Sequence, residues 1–179
     1  MPEIEIRESR PEDLAALEAL YPAAFPDEDL LPVVRALLAG EPGILSPGIL
    51  SLVASVDDEL TGHVLFTPCG LSGSPARSAM LAPLAVAPQW QRRGIGKALI
   101  RDGLDRLEQA GVAHVYVLGD PAYYRHSGFR PETAIAPPYP LPEEWRGAWQ
   151  SVSLGGAPKP PAGTLTVMEV WMQPALWGP

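Results

Sequence analysis

Leu84-Ala85-Val86-Ala87-Pro88-Gln89-Trp90-Gln91-Arg92-Arg93-Gly94-Ile95-Gly96-Lys97-Ala98-Leu99 reads as a strand, a short loop and the start of a helix. The helix entry carries the pattern Gln91-x-x-Gly94-x-Gly96. Backbone amides at a helix N-terminus point outward with partial positive charge, so they hold phosphate oxygens. Glycines at 94 and 96 let a bulky anion approach the main chain. Arg92, Arg93 and Lys97 add positive charge to a chain of formal net charge −8. Two commoner phosphate motifs fail. A P-loop needs glycine at 91 and Ser/Thr at 98, where Gln91 and Ala98 stand. A dinucleotide fingerprint needs a third glycine where Leu99 stands, and a much shorter turn after the strand.

Working outward, the spacing of Ile95, Leu99, Leu104 and Leu107 predicts a helix over 94–110 closed by Gly111. Val112–Leu118 is an almost continuous apolar run, as expected of a strand buried on both faces. Residues 89–120 contain no proline, whereas 131–161 contain eight of the chain's 22. Proline lacks a backbone donor and is excluded from helix interiors and central strands. Regular structure is therefore expected in the first window. Extended or looping chain is expected in the second, with one short helix around Glu143–Gln150. Pro83, inside the apolar strand 77–87, marks an edge or a bulge.

Upstream, Ile4 and Ile6 alternate with charged residues as a short strand. Ser9-Arg10-Pro11-Glu12 resembles a capping box, with Ser9 as the cap and Glu12 reaching back, opening a helix that carries Leu14, Leu17 and Leu20 up to Pro22. A second helix is predicted over 27–38, ended by Gly40. Residues 50–56 and 60–67 flank Asp57-Asp58-Glu59 as a hairpin. Asp120 caps a short helix over 121–127 that stops at Gly128, and 165–172 forms a last strand. The alternation of strands and helices without an internal repeat points to one α/β domain.

Composition removes several classes. One cysteine rules out a disulfide framework or a multi-cysteine zinc site, so no metal is expected. The acidic balance, 21 Asp+Glu against 13 Lys+Arg, is a poor basis for wrapping nucleic acid. No apolar run is long enough to span a membrane, and the N-terminus lacks a signal-peptide pattern, so a cytoplasmic protein is expected. With 46% hydrophobic and 19% charged residues, the chain can build a core.

Three separated motifs, Gly62–Phe66, Leu81–Pro88 and Val117–Phe129, together with the glycine loop, resemble the GNAT superfamily of acyl-CoA-dependent N-acetyltransferases, in particular a bacterial subgroup. The likeness covers about 3–131. The Pro-rich completion over 131–179 matches only loosely, so 1–179 is expected to be a single domain. The resemblance implies a central mixed, mostly antiparallel sheet, with a splayed, bulged strand, flanked by helices. It implies acetyl-CoA as co-substrate. The pyrophosphate would lie on Arg92, Arg93, Gly94, Ile95, Gly96 and Lys97, and the pantetheine arm on the backbone of Leu84 and Val86. It further implies direct attack by a primary amine, from a small molecule or a peptide. Tyr124, four residues before the Gly128-Phe129 pair, would protonate the departing thiolate. Glu28 is the first candidate for the base that takes the amine proton, beside Asp27 and His63. Cys69 is read as a buried residue, because direct transfer needs no acyl-enzyme. The late tryptophans are read as packing residues. Two alternatives stand beside this: a non-catalytic acyl-CoA-binding or interaction module, and a transferase for another acyl group. A monomer and a homodimer are both open.

Overall fold

The computed structural model describes residues 2–39 and 48–178; the expected Gly40 stop lies outside them. In chain order the elements are β1 (Glu5–Glu8), α1 (Leu14–Ala24), α2 (Leu31–Leu38), β2 (Leu50–Val56), β3 (Glu59–Leu71), β4 (Arg77–Val86), α3 (Ile95–Gln109), β5 (Val112–Leu118), α4 (Pro121–Tyr124), β6 (Arg130–Pro131), β7 (Ile135–Ala136), β8 (Trp149–Ser153) and β9 (Gly163–Thr166). Parallel pairing joins β4 to β5 and β7 to β9, and the other ladders given below run antiparallel. The chain gathers into two compact units, Met1–Phe66 with Pro83–Arg106, and Thr67–Ala82 with Leu107–Pro179.

In the first unit β2 pairs with β1 on one side and with β3 on the other, both antiparallel. The β2–β3 hairpin turns on Asp57 and Asp58, both at positive φ (49° and 64°). That is the primed turn whose twist matches the flanking strands. Successive strand residues face opposite sides of the sheet. Gly62 therefore meets α3, where an added Cβ would sit 3.0 Å from both Ile95 and Leu99. His63 points the other way, to Tyr21 of α1. Leu17, Leu20, Tyr21, Val34 and Val53 form the core on that side.

Two expectations change here. α2 begins at Leu31, not at 27, and holds Pro32 in its first turn. A helix begun at 27 would bury Pro32 in its interior, where the ring clashes with the preceding turn and a backbone hydrogen bond is lost. Glu28 consequently lies in the connecting loop rather than on a helix. The expected Ser9 cap is also replaced. Asp13 accepts from the Arg10 amide at 2.7 Å and from Arg7 at 2.8 Å, while the Ser9 hydroxyl turns to Ser51. The Arg7 guanidinium holds the Asp13 carboxyl below the usual carboxylate range.

In the second unit β5 pairs with β4 in parallel and with β8 antiparallel, and β6 adds to β8. The β4–β5 ladder shifts register between Arg77 and Ser78, before Pro83, and its last pair is Met80 with Tyr116. β5 runs on to Leu118 with β8 as partner. β9 pairs with β3 at Gly70 and Leu71 and with β7. The expected helix around 143–150 is a 3-10 turn, Glu143–Ala148, and Trp149 opens a strand instead. The expected last strand stops at Thr166. A straight strand would put Glu169 and Trp171 on one face. A 3-10 turn separates them, burying Trp171 and leaving Glu169 exposed.

Candidate acyl-transfer site

The first unit presents the glycine loop. Past the end of β4, the Ala87 amide donates to the Thr61 carbonyl at 2.9 Å, which pins the chain to β3. A 3-10 turn over Pro88–Trp90 follows. The Gln91 side chain then folds back, its Nε2 donating to the Val86 carbonyl at 3.1 Å. Arg92 and Gly94 both sit at positive φ, 61° and 86°. A non-glycine residue held there stores about 1–3 kcal/mol, a cost that clusters at ligand-holding loops. The Ala98 amide closes the first helical bond onto the Gly94 carbonyl at 3.0 Å. The amides of Ile95, Gly96 and Lys97 precede that bond and have no helical acceptor.

Arg92, Arg93 and Lys97 are exposed, and none of them forms an ion pair with a described residue. The Arg93 guanidinium lies 5.1 Å from the centre of the Trp90 ring. Trp90 in turn packs against the Leu17–Tyr21 core. Helix-start amides without a helical acceptor, and cations outside any ion pair among the described residues, suit a diphosphate at the start of this 15-residue helix. Leu84 and Val86 are half-buried on the strand leading into this loop.

Tyr124 belongs to the second unit. Asp120 caps α4 as expected, its carboxylate accepting from the Ala122 amide at 2.9 Å, and Gly128 ends the turn at φ 92°. The Tyr124 ring is buried edge-on between Tyr123 (5.1 Å) and Phe129 (5.7 Å). It also lies against Gly119, where an added Cβ would stand 2.5 Å from the ring. No hydrogen bond joins its hydroxyl to a described residue. Burial, with Tyr123 beside it, pushes the phenol well above its usual range, so it stays protonated.

The base candidates differ sharply. Glu28 and Asp27 are exposed at a cleft of about 310 Å³ whose other walls include Tyr21 and Phe25. His63 is fully buried between the Tyr21 hydroxyl (2.6 Å) and the Ser51 hydroxyl (2.8 Å). Burial holds its pKa down to about 3, so it is a neutral core residue at ordinary pH. Cys69 is half-buried rather than fully buried, and burial still pushes its thiol up, which suits the non-nucleophilic reading. Trp149, Trp171 and Trp177 are buried packing residues, and each spends its indole N–H on a neighbour. Sequence reasoning missed two supports of the loop: the Gln91 hook and the Trp90–Arg93 stack. Both residues stand in the quoted motif, but their partners depend on how the chain folds back.

Comparison with known proteins points to one family. Residues 14–129 match the model of the Acetyltransferase (GNAT) family. The Escherichia coli K12 protein called uncharacterized N-acetyltransferase YjhQ is 40% identical over 114 residues, which span 61% of this chain and 63% of YjhQ, somewhat under two thirds of that relative. The crystal structure of Escherichia coli YhbS in complex with CoA superposes with a TM-score of 0.81 at 28% identity, covering 97% of this chain and 94% of YhbS. A GNAT acetyltransferase from Brucella melitensis in complex with acetyl-CoA gives 0.74 at 30% identity, covering 95% and 99%. With the family model matched over residues 14–129 and relatives alike in sequence and fold, one assignment remains: this chain belongs to the GNAT family of acetyltransferases.

Proposed function

We propose that the protein transfers the acetyl group of acetyl-CoA to a primary amine. The carrying observation is the loop 91–97, with its free helix-start amides, two positive-φ residues and three cations outside any ion pair among the described residues. Acetyl-CoA would supply the acyl group as an activated thioester. The loop amides would hold its diphosphate, and the backbone of Leu84 and Val86 would align the pantetheine arm. Relatives of similar sequence and fold that bind CoA or acetyl-CoA support this reading.

In the reaction the amine nitrogen bonds to the thioester carbonyl carbon, and the carbon–sulfur bond breaks. The Tyr124 hydroxyl, protonated and without a described partner, would give its proton to the departing sulfur. Glu28 would receive the amine proton at the mouth of its cleft. Acid–base help of this kind contributes about 10²–10⁴ in rate, and positioning supplies much of the remainder. The formal charge of −8 steers a cationic acceptor toward the molecule.

The test is thiol release from acetyl-CoA across a panel of primary amines. Turnover on at least one amine is the expected result. Tight CoA binding with no turnover on any amine would replace the enzyme by a binding module. Faster turnover with a longer acyl-CoA would change the acyl group.

A further inference from the structure

The first unit holds another cavity, of about 440 Å³, which shares no residue with the loop 91–97. Leu14, Leu37, Leu38 and Ile49 supply its apolar wall, and Arg10 and Arg35 also line it. No carboxylate is among its described lining residues, although the chain as a whole is strongly acidic. Leu14 is 39% exposed, one of two large apolar side chains left exposed among the described residues. A concave apolar wall with a few converging polar groups is the usual form of a small-molecule site.

The polar part of the lining is Ser9 and Ser51, and proton accounting fixes what they offer. Tyr21 is 1% exposed, and His63 is the one described acceptor within reach of its hydroxyl, at 2.6 Å. A buried hydroxyl proton left without an acceptor is costly. Tyr21 therefore donates to Nδ1 of His63. The neutral imidazole then carries its proton on Nε2 and donates it to Ser51 Oγ, 2.8 Å away. Ser9 Oγ and Ser51 Oγ lie 2.6 Å apart and share one hydrogen bond. The pair holds two hydroxyl protons and that bond uses one, so the other has no partner among the described residues. Because Ser9 and Ser51 both line the cavity, that proton is free to donate into it.

We infer that this cavity binds a small amphipathic carboxylate. Its apolar body lies on Leu14, Leu37 and Ile49, and its carboxylate accepts from the Ser9–Ser51 hydroxyl pair between Arg10 and Arg35. Arg35 bonds Glu18 through Nε at 2.9 Å, which leaves its terminal nitrogens for the ligand. Acceptor oxygens and negative charge are both required, so an amine of the same length does not fit.

Octanoate and octylamine are the probes, titrated against the full chain by calorimetry and by methyl NMR of Leu14, Leu37 and Ile49. Octanoate is expected to bind saturably and shift those methyls, and octylamine to do neither. Acetyl-CoA affinity stays unchanged at saturating octanoate. Arg10→Ala, an exposed change, weakens octanoate at least fivefold. Ser51→Ala weakens it about 3- to 10-fold, the span of one hydrogen bond. Nitrogen NMR finds the His63 proton on Nε2. The proposal is overturned by absence of saturable binding, by equal binding of octylamine, by shifts confined to the loop 91–97, or by the proton on Nδ1.

Discussion

The Gln91 carboxamide reaches back to the Val86 carbonyl at 3.1 Å, so the last residue of β4 and the start of the glycine loop are tied by a side chain rather than by backbone alone. The bond holds in one piece the strand proposed to align the pantetheine arm and the amides proposed to hold the diphosphate. Gln91→Ala removes this tie while leaving every proposed ligand-binding amide in place. The expected outcome is a KM for acetyl-CoA raised about 3- to 10-fold with kcat nearly unchanged, the pattern of a lost positioning bond. Steady-state kinetics with acetyl-CoA varied at saturating amine measures it. A kcat effect with constant KM would refute the positioning role.

Gly94 is held at φ 86°, with open space where a Cβ would stand. The obstacle to substitution is therefore backbone conformation and not packing. Gly94→Val should weaken CoA binding strongly, because a β-branched residue resists this conformation. Gly94→Asn, which tolerates it, should bind nearly as the parent does. Calorimetric titration of CoA into both variants decides; equal affinities would remove the loop conformation from cofactor binding.

Tyr124→Phe keeps the ring contacts with Tyr123, Phe129 and Gly119 and removes one hydroxyl that has no partner among the described residues. Thermal stability should hold. kcat should fall by about 10² or more, with little change in CoA affinity. The experiment compares turnover with the melting temperature of the same preparation. An unchanged kcat, with chemistry shown to be the slow step, would take the general-acid role from Tyr124.

His63 makes stability depend on pH. Its folded-state pKa lies near 3, below the unfolded value of 6.5, so the fold favours the neutral ring. The stability this brings is complete above pH 6.5. It declines as pH falls from 6.5 toward 3, because the unfolded chain takes up a proton that the folded chain refuses. The slope approaches about 1.4 kcal/mol per pH unit for one such proton. Asp13, held low by Arg7, adds its own loss at lower pH, below the ordinary carboxylate range. Urea unfolding between pH 7 and 4.5 should show the decline in the parent and a flatter line in His63→Gln. Parallel lines would exclude His63 as its source.

The parts of the fold that were legible in sequence are those decided by near neighbours. Gly94 before and Gly96 within the first turn of an amphipathic helix, Asp120 before Pro121, and Gly128 after a short helix each act within a few residues, and the structure keeps all three features. β8 was hidden because Trp149 and Gln150 are both buried, which breaks the alternation that announces a strand, and because its partner β5 lies far away in sequence. The apolar positions Leu30, Val33, Val34, Leu37 and Leu38 suggest a helix over 27–38 that would hold Glu28 in its first turn, yet Pro32 pushes the start to Leu31. Ser9 looked like a cap by its spacing, but its hydroxyl is claimed by Ser51, 42 residues on.

The interleaving of the two units has a consequence for the order in which the chain is made. By Arg106 every segment of the first unit has been synthesised, whereas Thr67–Ala82 still waits for β5 at Val112–Leu118 and β9 at Gly163–Thr166. During that interval the far end of β3 and the near end of β4 lack those later partners. An uncovered strand edge pairs readily with another chain. Aggregation during expression should therefore respond to the rate of elongation between residues 107 and 166 more than to the stability of the finished protein.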